Sequence, residues 1–313
     1  MTLFAKFIEF CMLAFYFVYV ALDTLVSTIG KMIWKPPQYS LAGKTVVVTG
    51  GAGYIGKAIA RKFCAEQCNL AVIDVHAADL ESVVSELKGA VNQDIKIQAY
   101  VCDLTNPKQI TQTFSSIRRD FGRVDVLVNN AGIVSGKSVM DLNLNDYKRM
   151  MDVNCFAHVA TVKEVLTNMI SDGGGHIVSV SSVMSMMGMA PNISDYVASK
   201  FAVTGFMEAI DYELHSKGID SIGFTTVCPY MVQTPLFNGC VPSRFHHWEP
   251  ILSTDYVASS VIEGVKENKR IVILPPKFIL YVLIKLLFPR QMVFRFLDFC
   301  DVNTSMTRFQ GRN

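Results

Sequence analysis

The chain has 313 residues, which suits one α/β domain with additions at its ends. Half of it is hydrophobic and the mean hydropathy is +0.31, high for a water-soluble enzyme. The formal net charge is only +2, with no sustained basic block, so a nucleic-acid partner is not expected.

Residues 1–35 stand apart. Phe10 to Leu22 carries no charge, and apolar character resumes after Asp23 as far as Ile29. The span Phe10 to Gly30 is about long enough to cross a bilayer as a helix, although Glu9 and Asp23 weaken that reading. A signal peptide would need a small-residue cleavage site, and none is clear. A hairpin or an amphipathic helix lying in the membrane plane is the rival. Lys31 and Lys35 follow, and Pro36-Pro37 ends any helix. The positive flank puts the rest of the chain on the cytosolic side.

Residues 36–275 form the next section, and from residue 41 strands and helices alternate. Lys44 to Thr49 reads as a buried strand, followed by the glycine-rich turn Thr49-Gly50-Gly51-Ala52-Gly53-Tyr54-Ile55-Gly56 and a helix over Lys57 to Gln67. Leu70 to Asp74, Val124 to Asn129, His176 to Ser181 and Ile222 to Val227 read as further buried strands. Apolar strands separated by helices predict a parallel sheet covered on both faces. Beyond Pro275, residues 276–313 change character again. Phe278 to Phe288 is apolar apart from Lys285 and too short to span a bilayer. It suits a membrane-surface helix, a cap over a substrate pocket, or an ordinary core helix.

The eight cysteines are scattered, and the one adjacent histidine pair is His246-His247. No metal site is expected, and the thiols read as reduced, as in a protein facing the cytosol.

Glycines after a strand and before a helix let the backbone approach a pyrophosphate, whose charge the helix N-terminus favours. Asp74 ends the next strand. Its carboxylate can bind ribose hydroxyls and would repel a 2′-phosphate, so NAD is expected over NADP. Further on, Tyr196 and Lys200 lie four apart and share a helix face. A nearby ammonium holds a phenol's pKa down, and such a phenol can exchange a proton with an alcohol or carbonyl. Ser182 and Asn129-Asn130-Ala131-Gly132 precede this pair.

Taken together, these motifs resemble the short-chain dehydrogenase/reductase family over roughly residues 40 to 275. The resemblance implies a Rossmann-type, doubly wound parallel sheet. It implies that Tyr196 is the general acid/base, that Lys200 lowers its pKa and binds the nicotinamide ribose, and that Ser182 polarises the substrate oxygen. Asn154, in Asp152-Val153-Asn154, matches the residue that holds a relay water. Asp103 and Leu104 match the adenine contact, and Asn130, Ala131 and Gly132 match the strand end lying on the cofactor. Pro229, Val232 and Thr234 match the segment at the nicotinamide.

Three departures matter. Tyr54 stands where short members of the family carry a glycine, and TGGAGYIG is similar to the turn of extended members such as sugar-nucleotide epimerases. The interval from Ser182 to Tyr196 is one residue longer than usual, which leaves Ser181 and Ser185 as fallback candidates. Tyr230 replaces the glycine that usually follows the proline, and should project toward the nicotinamide or the substrate mouth.

The apolar start and basic-proline linker resemble the microsomal branch of retinol and 17-beta-hydroxysteroid dehydrogenases. Cys228-Pro229 with Thr234, Phe237 and Gly239-Cys240 favours the retinol side. Met184, Met186, Met187 and Met189 suggest an adaptable pocket for a long apolar alcohol, with loop packing as the plain alternative. His246-His247-Trp248 falls where this family forms a substrate lid.

The reading is a membrane-anchored, NAD-dependent dehydrogenase of a lipophilic alcohol, first all-trans-retinol. The expected site is the endoplasmic reticulum membrane or a lipid droplet, with membrane lipid as a partner. A homodimer is one expected assembly. A hydroxysteroid or fatty alcohol dehydrogenase is the near alternative. A sugar-nucleotide epimerase and an NAD-binding scaffold are the distant ones.

Overall fold

The computed structural model describes residues 3–33, 39–90, 95–245 and 249–311. His246-His247-Trp248, Lys35 and Pro36-Pro37 lie outside the described residues. The chain divides into two compact units, Met1–Tyr39 and Ser40–Asn313.

The first unit is one helix, α1 (Leu3–Ile33), longer than the apolar run that predicts it. Its described side chains are exposed all round, with Phe10, Phe15, Phe17 and Val26 among the most open. Among the described residues, no helix is long and apolar enough to cross a membrane.

The second unit is built on seven strands: β1 (Thr45–Thr49), β2 (Asn69–Asp74), β3 (Ile97–Val101), β4 (Val126–Asn129), β5 (Gly175–Val180), β6 (Ile222–Pro229) and β7 (Ile271–Leu274). They pair in parallel in the order β3-β2-β1-β4-β5-β6-β7. Every residue of β1 is buried, because helices cover both faces. Strands β3 and β7 were not expected from the sequence. Each lies at a sheet edge, β3 is interrupted by Gln98, and β7 is only four residues long, so neither shows the long apolar run of an inner strand. The register is tight enough to select glycine: a Cβ on Gly175 would meet the Met169 sulfur at 2.6 Å.

Helices α2 (Tyr54–Ala65) and α3 (Ala77–Ala90) cover one face of the sheet. Helix α4 (Pro107–Phe121) covers the other, and Asn106 caps it by accepting from the Lys108 and Gln109 amides. Next come α5 (Leu144–Met151), a π-helical turn over Asp152–Phe156, and α6 (Ala157–Ser171). The single turn α7 (Met184–Met187) and the long α8 (Ser194–Ser216) follow β5, and α9 (Thr254–Lys266) joins α2 and α3. Two short helices, α10 (Ile279–Leu287) and α11 (Arg290–Phe299), follow β7.

Chain order reverses between β1 and β4, the switch point at which parallel α/β sheets leave an open crevice at their carboxyl ends. Thr49 and Asn129 end those two strands, so the glycine turn and the Asn-Asn-Ala-Gly segment meet there.

Candidate active site

The glycine turn is held by sterics. Gly50 has φ +62°, and a Cβ there would lie 2.8 Å from the Ala131 Cα. A Cβ on Gly56 would lie 2.1 Å from the Gly50 carbonyl oxygen, and one on Gly51 2.1 Å from a Val72 methyl. Side chains cannot enter, so the backbone itself lines the crevice. Asn130 ties the turn down: its Nδ2 donates to the carbonyls of Thr49 and Gly50, both at 3.1 Å. The Thr49 hydroxyl accepts from the Asn130 and Ala131 amides. Tyr54, in place of the usual glycine, opens α2 with its ring exposed, so the substitution leaves the backbone path intact.

Asp74 sits where β2 ends. Its Oδ2 accepts from the Ala52 amide at 3.0 Å and its Oδ1 from the Val75 amide at 2.8 Å. The His76 ring, which the sequence reading passed over, stands 3.2 Å from the same carboxylate. Gly53, Tyr54, Ile55, Gly56, Asp74, Asn130, Ala131, Gly132 and Thr234 line one crevice with Gly50. Asp103 and Leu104 extend it toward α5, where Lys148 and Arg149 also contribute.

Ser182, Tyr196, Lys200, Pro229, Val232 and Gly132 meet where this crevice continues. Ser182 and Tyr196 also line a separate apolar cavity of about 780 Å³, counting its open mouth. The three serines differ in their surroundings. Ser181 donates to the Lys200 carbonyl and pairs with Thr204, and Ser185 donates to the Ser182 carbonyl. Ser182 donates to the Pro229 carbonyl at 3.5 Å, accepts from the Met184 amide at 3.2 Å, and interacts with the Tyr196 phenol.

Lys200 is buried, donates to the Val180 carbonyl at 3.0 Å, and stands 5.6 Å from the Tyr196 ring centre. Burial brings its ammonium down to about 8. Burial pushes the Tyr196 phenol up to about 12, against the opposing pull of the Ser182 hydrogen bond. Desolvation of the anion, rather than the expected lowering by the lysine, sets the direction for this phenol.

Asn154 is held by protein partners. It sits on the π-helical turn, fully buried behind Gly132. Its Oδ1 accepts from the Ile133 amide at 2.8 Å, and its Nδ2 donates to the Ile133 carbonyl and to Ser199. The amide clamps the strand-end loop to α8.

Tyr230 lines both spaces, as its position after Pro229 suggested. The cavity also takes Glu249, Tyr281, Leu297 and Met306 from segments that carry no motif. For Tyr281, Leu297 and Met306 the signal in the sequence was the apolar character of the tail, and for Glu249 its place beside the lid segment.

The crevice fits a nicotinamide dinucleotide on its own terms. Its floor is a glycine cradle that Cβ atoms would fill, Asp74 offers a carboxylate at the adenosine end, and the Thr234 hydroxyl is buried without a partner among the described residues. All eight cysteines are free thiols, and among the described residues no cluster of His, Cys, Asp and Glu is placed to hold a metal ion.

Fold and site therefore define an oxidoreductase built for a nicotinamide dinucleotide. Residues 44–243 match the model of the short chain dehydrogenase family, and the chain belongs to that family. It is 28% identical to retinol dehydrogenase 10-A of Xenopus laevis over 91% of each chain. It is 29% identical to short-chain dehydrogenase/reductase family 16C member 6 of Bos taurus, over 95% of this chain and 91% of that one. A short chain dehydrogenase/reductase from Burkholderia phymatum, solved in complex with NAD, superposes with a TM-score of 0.71 at 24% identity, covering 79% of this chain and 94% of that one.

Proposed function

We propose that this protein is a membrane-associated, NAD-dependent dehydrogenase of lipophilic alcohols, with all-trans-retinol the first candidate. The observation that carries this reading is the apolar cavity, walled by Met184, Met187, Met189, Phe278 and Leu297, that converges on Ser182 and Tyr196 beside the dinucleotide crevice. The names of its relatives, retinol dehydrogenase 10 among them, support the same substrate class.

The dinucleotide, when bound, supplies the hydride acceptor or donor. Gly50, Gly53, Ile55 and Gly56 would hold its pyrophosphate, Asp74 its adenosine ribose, Asp103 and Leu104 its adenine, and Thr234 its carboxamide. Asp74 disfavours a 2′-phosphate by charge, which selects NAD. Lys200, held by the Val180 carbonyl, would bind the nicotinamide ribose.

Ser182 donates to the substrate oxygen and holds it at Tyr196. In oxidation the alcohol O–H gives its proton to the ionised Tyr196 oxygen; in reduction the neutral phenol donates to the carbonyl oxygen. Because burial pushes that phenol up to about 12, its ionised fraction grows with pH. Oxidation should accelerate as pH rises above neutrality, and reduction should run best where the phenol stays protonated. The cavity's apolar walls align the carbinol carbon and exclude water.

Residues 1–35 are the proposed anchor, at the endoplasmic reticulum or a lipid droplet, with residues 36–275 as the catalytic domain facing the cytosol. The reading rests on the outward apolar side chains of α1. Residues 276–313 would add a second contact. Leu280, Leu283, Leu286 and Leu287 are exposed on α10, while Tyr281 of that helix lines the cavity.

The test is a substrate panel of retinol, steroids and fatty alcohols on purified membranes with NAD and NADP. The expected result is NAD-dependent turnover of a lipophilic alcohol, and turnover confined to small polar alcohols would overturn it. Deleting residues 1–35 should move the folded protein into the soluble fraction, and a fully soluble native protein would remove the anchor from the reading.

A further inference from the structure

The apolar cavity holds a second polar centre that the proton transfer does not use. Glu249 is only 4% exposed. Its carboxylate accepts from the Tyr281 hydroxyl and is hydrogen-bonded to Tyr230. The three residues come from separate parts of the chain: Tyr230 follows β6, Glu249 precedes α9, and Tyr281 lies on α10. Phe278 packs against both phenols, with its ring centre 4.5 Å from that of Tyr230 and 5.1 Å from that of Tyr281. All four line the cavity that contains Ser182 and Tyr196, and most of its remaining wall is methionine, aliphatic carbon or aromatic ring.

A buried carboxylate in such a wall is unfavourable unless it is well hydrogen-bonded. Each phenol brings a single O–H, and an ionised carboxylate offers about four lone-pair sites, so two donors leave acceptor capacity unspent. Glu249 lines a space whose walls are mostly apolar. A ligand of hydrocarbon alone would cover it and lose the hydration of the charge. A ligand with a hydrogen-bond donor at the right separation from its reacting carbinol would satisfy it.

We infer that this cavity selects lipophilic alcohols carrying a second hydroxyl, bound by Glu249 with Tyr230 and Tyr281, while the first hydroxyl reacts at Ser182 and Tyr196. This rests on the lipophilic-alcohol reading above and narrows it. Retinol has one hydroxyl, so the second centre ranks it below a hydroxylated substrate of similar size. Tyr230 borders the dinucleotide crevice as well, so the second centre is a positioning device for the reacting end of the substrate.

The test uses the full-length protein in membranes with NAD. Straight-chain terminal diols, from octanediol to hexadecanediol, are each compared with the matching primary mono-alcohol. Once corrected for its two equivalent ends, the best diol should exceed its mono-alcohol in kcat/KM by on the order of tenfold or more, the size expected of a hydrogen bond to a charged group. The chain length at the maximum reads the separation of the two centres. Glu249→Gln keeps the shape and removes the charge. It should bring the ratio of diol to mono-alcohol kcat/KM down to about threefold or less. A merely structural latch would lower both substrates together and leave their ratio alone. Calorimetric binding of the same pairs to the NAD-bound protein gives a readout that needs no turnover. Diols that neither react nor bind better than mono-alcohols, with a ratio unmoved by Glu249→Gln, overturn the inference. Diol-selective binding without oxidation of any member supports the second centre and overturns the dehydrogenase reading instead.

Discussion

The dinucleotide crevice and the apolar cavity share Ser182 and Tyr196 but are built by different means. The crevice is made from short contiguous segments, residues 50–56, 74–76 and 130–133, whose shape is set by backbone contact and by the hydrogen bonds of Thr49 and Asn130. The cavity draws on α7, the segment after β6, Glu249, α10, α11 and the last residues of the chain. Backbone sterics admit few alternatives, because a Cβ 2.1 Å from a carbonyl oxygen cannot be absorbed. Side-chain packing admits many, since hydrophobic residues of similar volume substitute at small cost. One half should therefore answer mutation in an all-or-none way and the other by degrees.

Tyr196→Phe tests the junction and should have the largest effect. Turnover should fall by about 10³-fold or more, with NAD affinity nearly intact, since the hydroxyl carries the proton and the ring does not hold the cofactor. Initial rates beside NAD titration by protein fluorescence check this, and residual activity above a few per cent would point to another acid/base. Ser182→Ala should cost about 10²-fold in kcat, as loss of an oxygen-stabilising donor does. Ser181→Ala should do much less, because its hydroxyl is already spent on Lys200 and Thr204.

Gly56→Ala breaks the crevice alone. The added methyl would strike the Gly50 carbonyl and the Asn130 side chain, so NAD binding should be lost or the fold weakened. Gly205→Ala is the control: nothing lies within 4 Å of its added Cβ in the middle of α8. It should raise thermal stability slightly, by about 0.5–1 kcal/mol. If both variants behave alike, steric closure is not what shapes the turn.

Asp74→Ala with Val75→Arg sharpens the contrast on cofactor choice. NADP use should rise and NAD use fall by roughly tenfold each, because a 2′-phosphate gains an arginine and loses a repelling carboxylate. Side-by-side kinetics of the native protein that already favour NADP would end the argument. The smallest effect should come from Met187→Leu in the apolar wall. A volume-conserving swap there should cost under about 1.5 kcal/mol and alter KM among alcohols of different length, with NAD binding unmoved.

The dinucleotide half was legible because its chemistry is local. Gly50, Gly56 and Asp74 each follow a strand end, and Tyr196 and Lys200 lie one helical turn apart, so spacing alone places them. The serine was legible only as a choice among Ser181, Ser182 and Ser185, since an extra residue before Tyr196 can be absorbed anywhere in the intervening loop. In the folded chain it is Ser182 that lines the apolar cavity with Tyr196, while Ser181 and Ser185 donate to the Lys200 and Ser182 carbonyls. The upward shift of the Tyr196 phenol and the protein partners of the Asn154 amide cannot be read from spacing. Both depend on burial and on which neighbours take the polar atoms, and neither is written in residue order.

What the sequence determined by itself is the parallel sheet, the glycine turn, the pairing of Tyr196 with Lys200 on one helix face and the apolar character of both ends. These follow from periodicity and from contacts within a few residues. The tertiary structure alone decided that the tail's α10 and α11 wall the substrate cavity, that His76 stands against Asp74, and that Glu249 joins Tyr230 and Tyr281 inside an apolar space. The cavity contacts join residues distant in the chain, such as Tyr230 and Tyr281, 51 positions apart, and a pairing over such distances is fixed by packing in three dimensions, not by any local pattern.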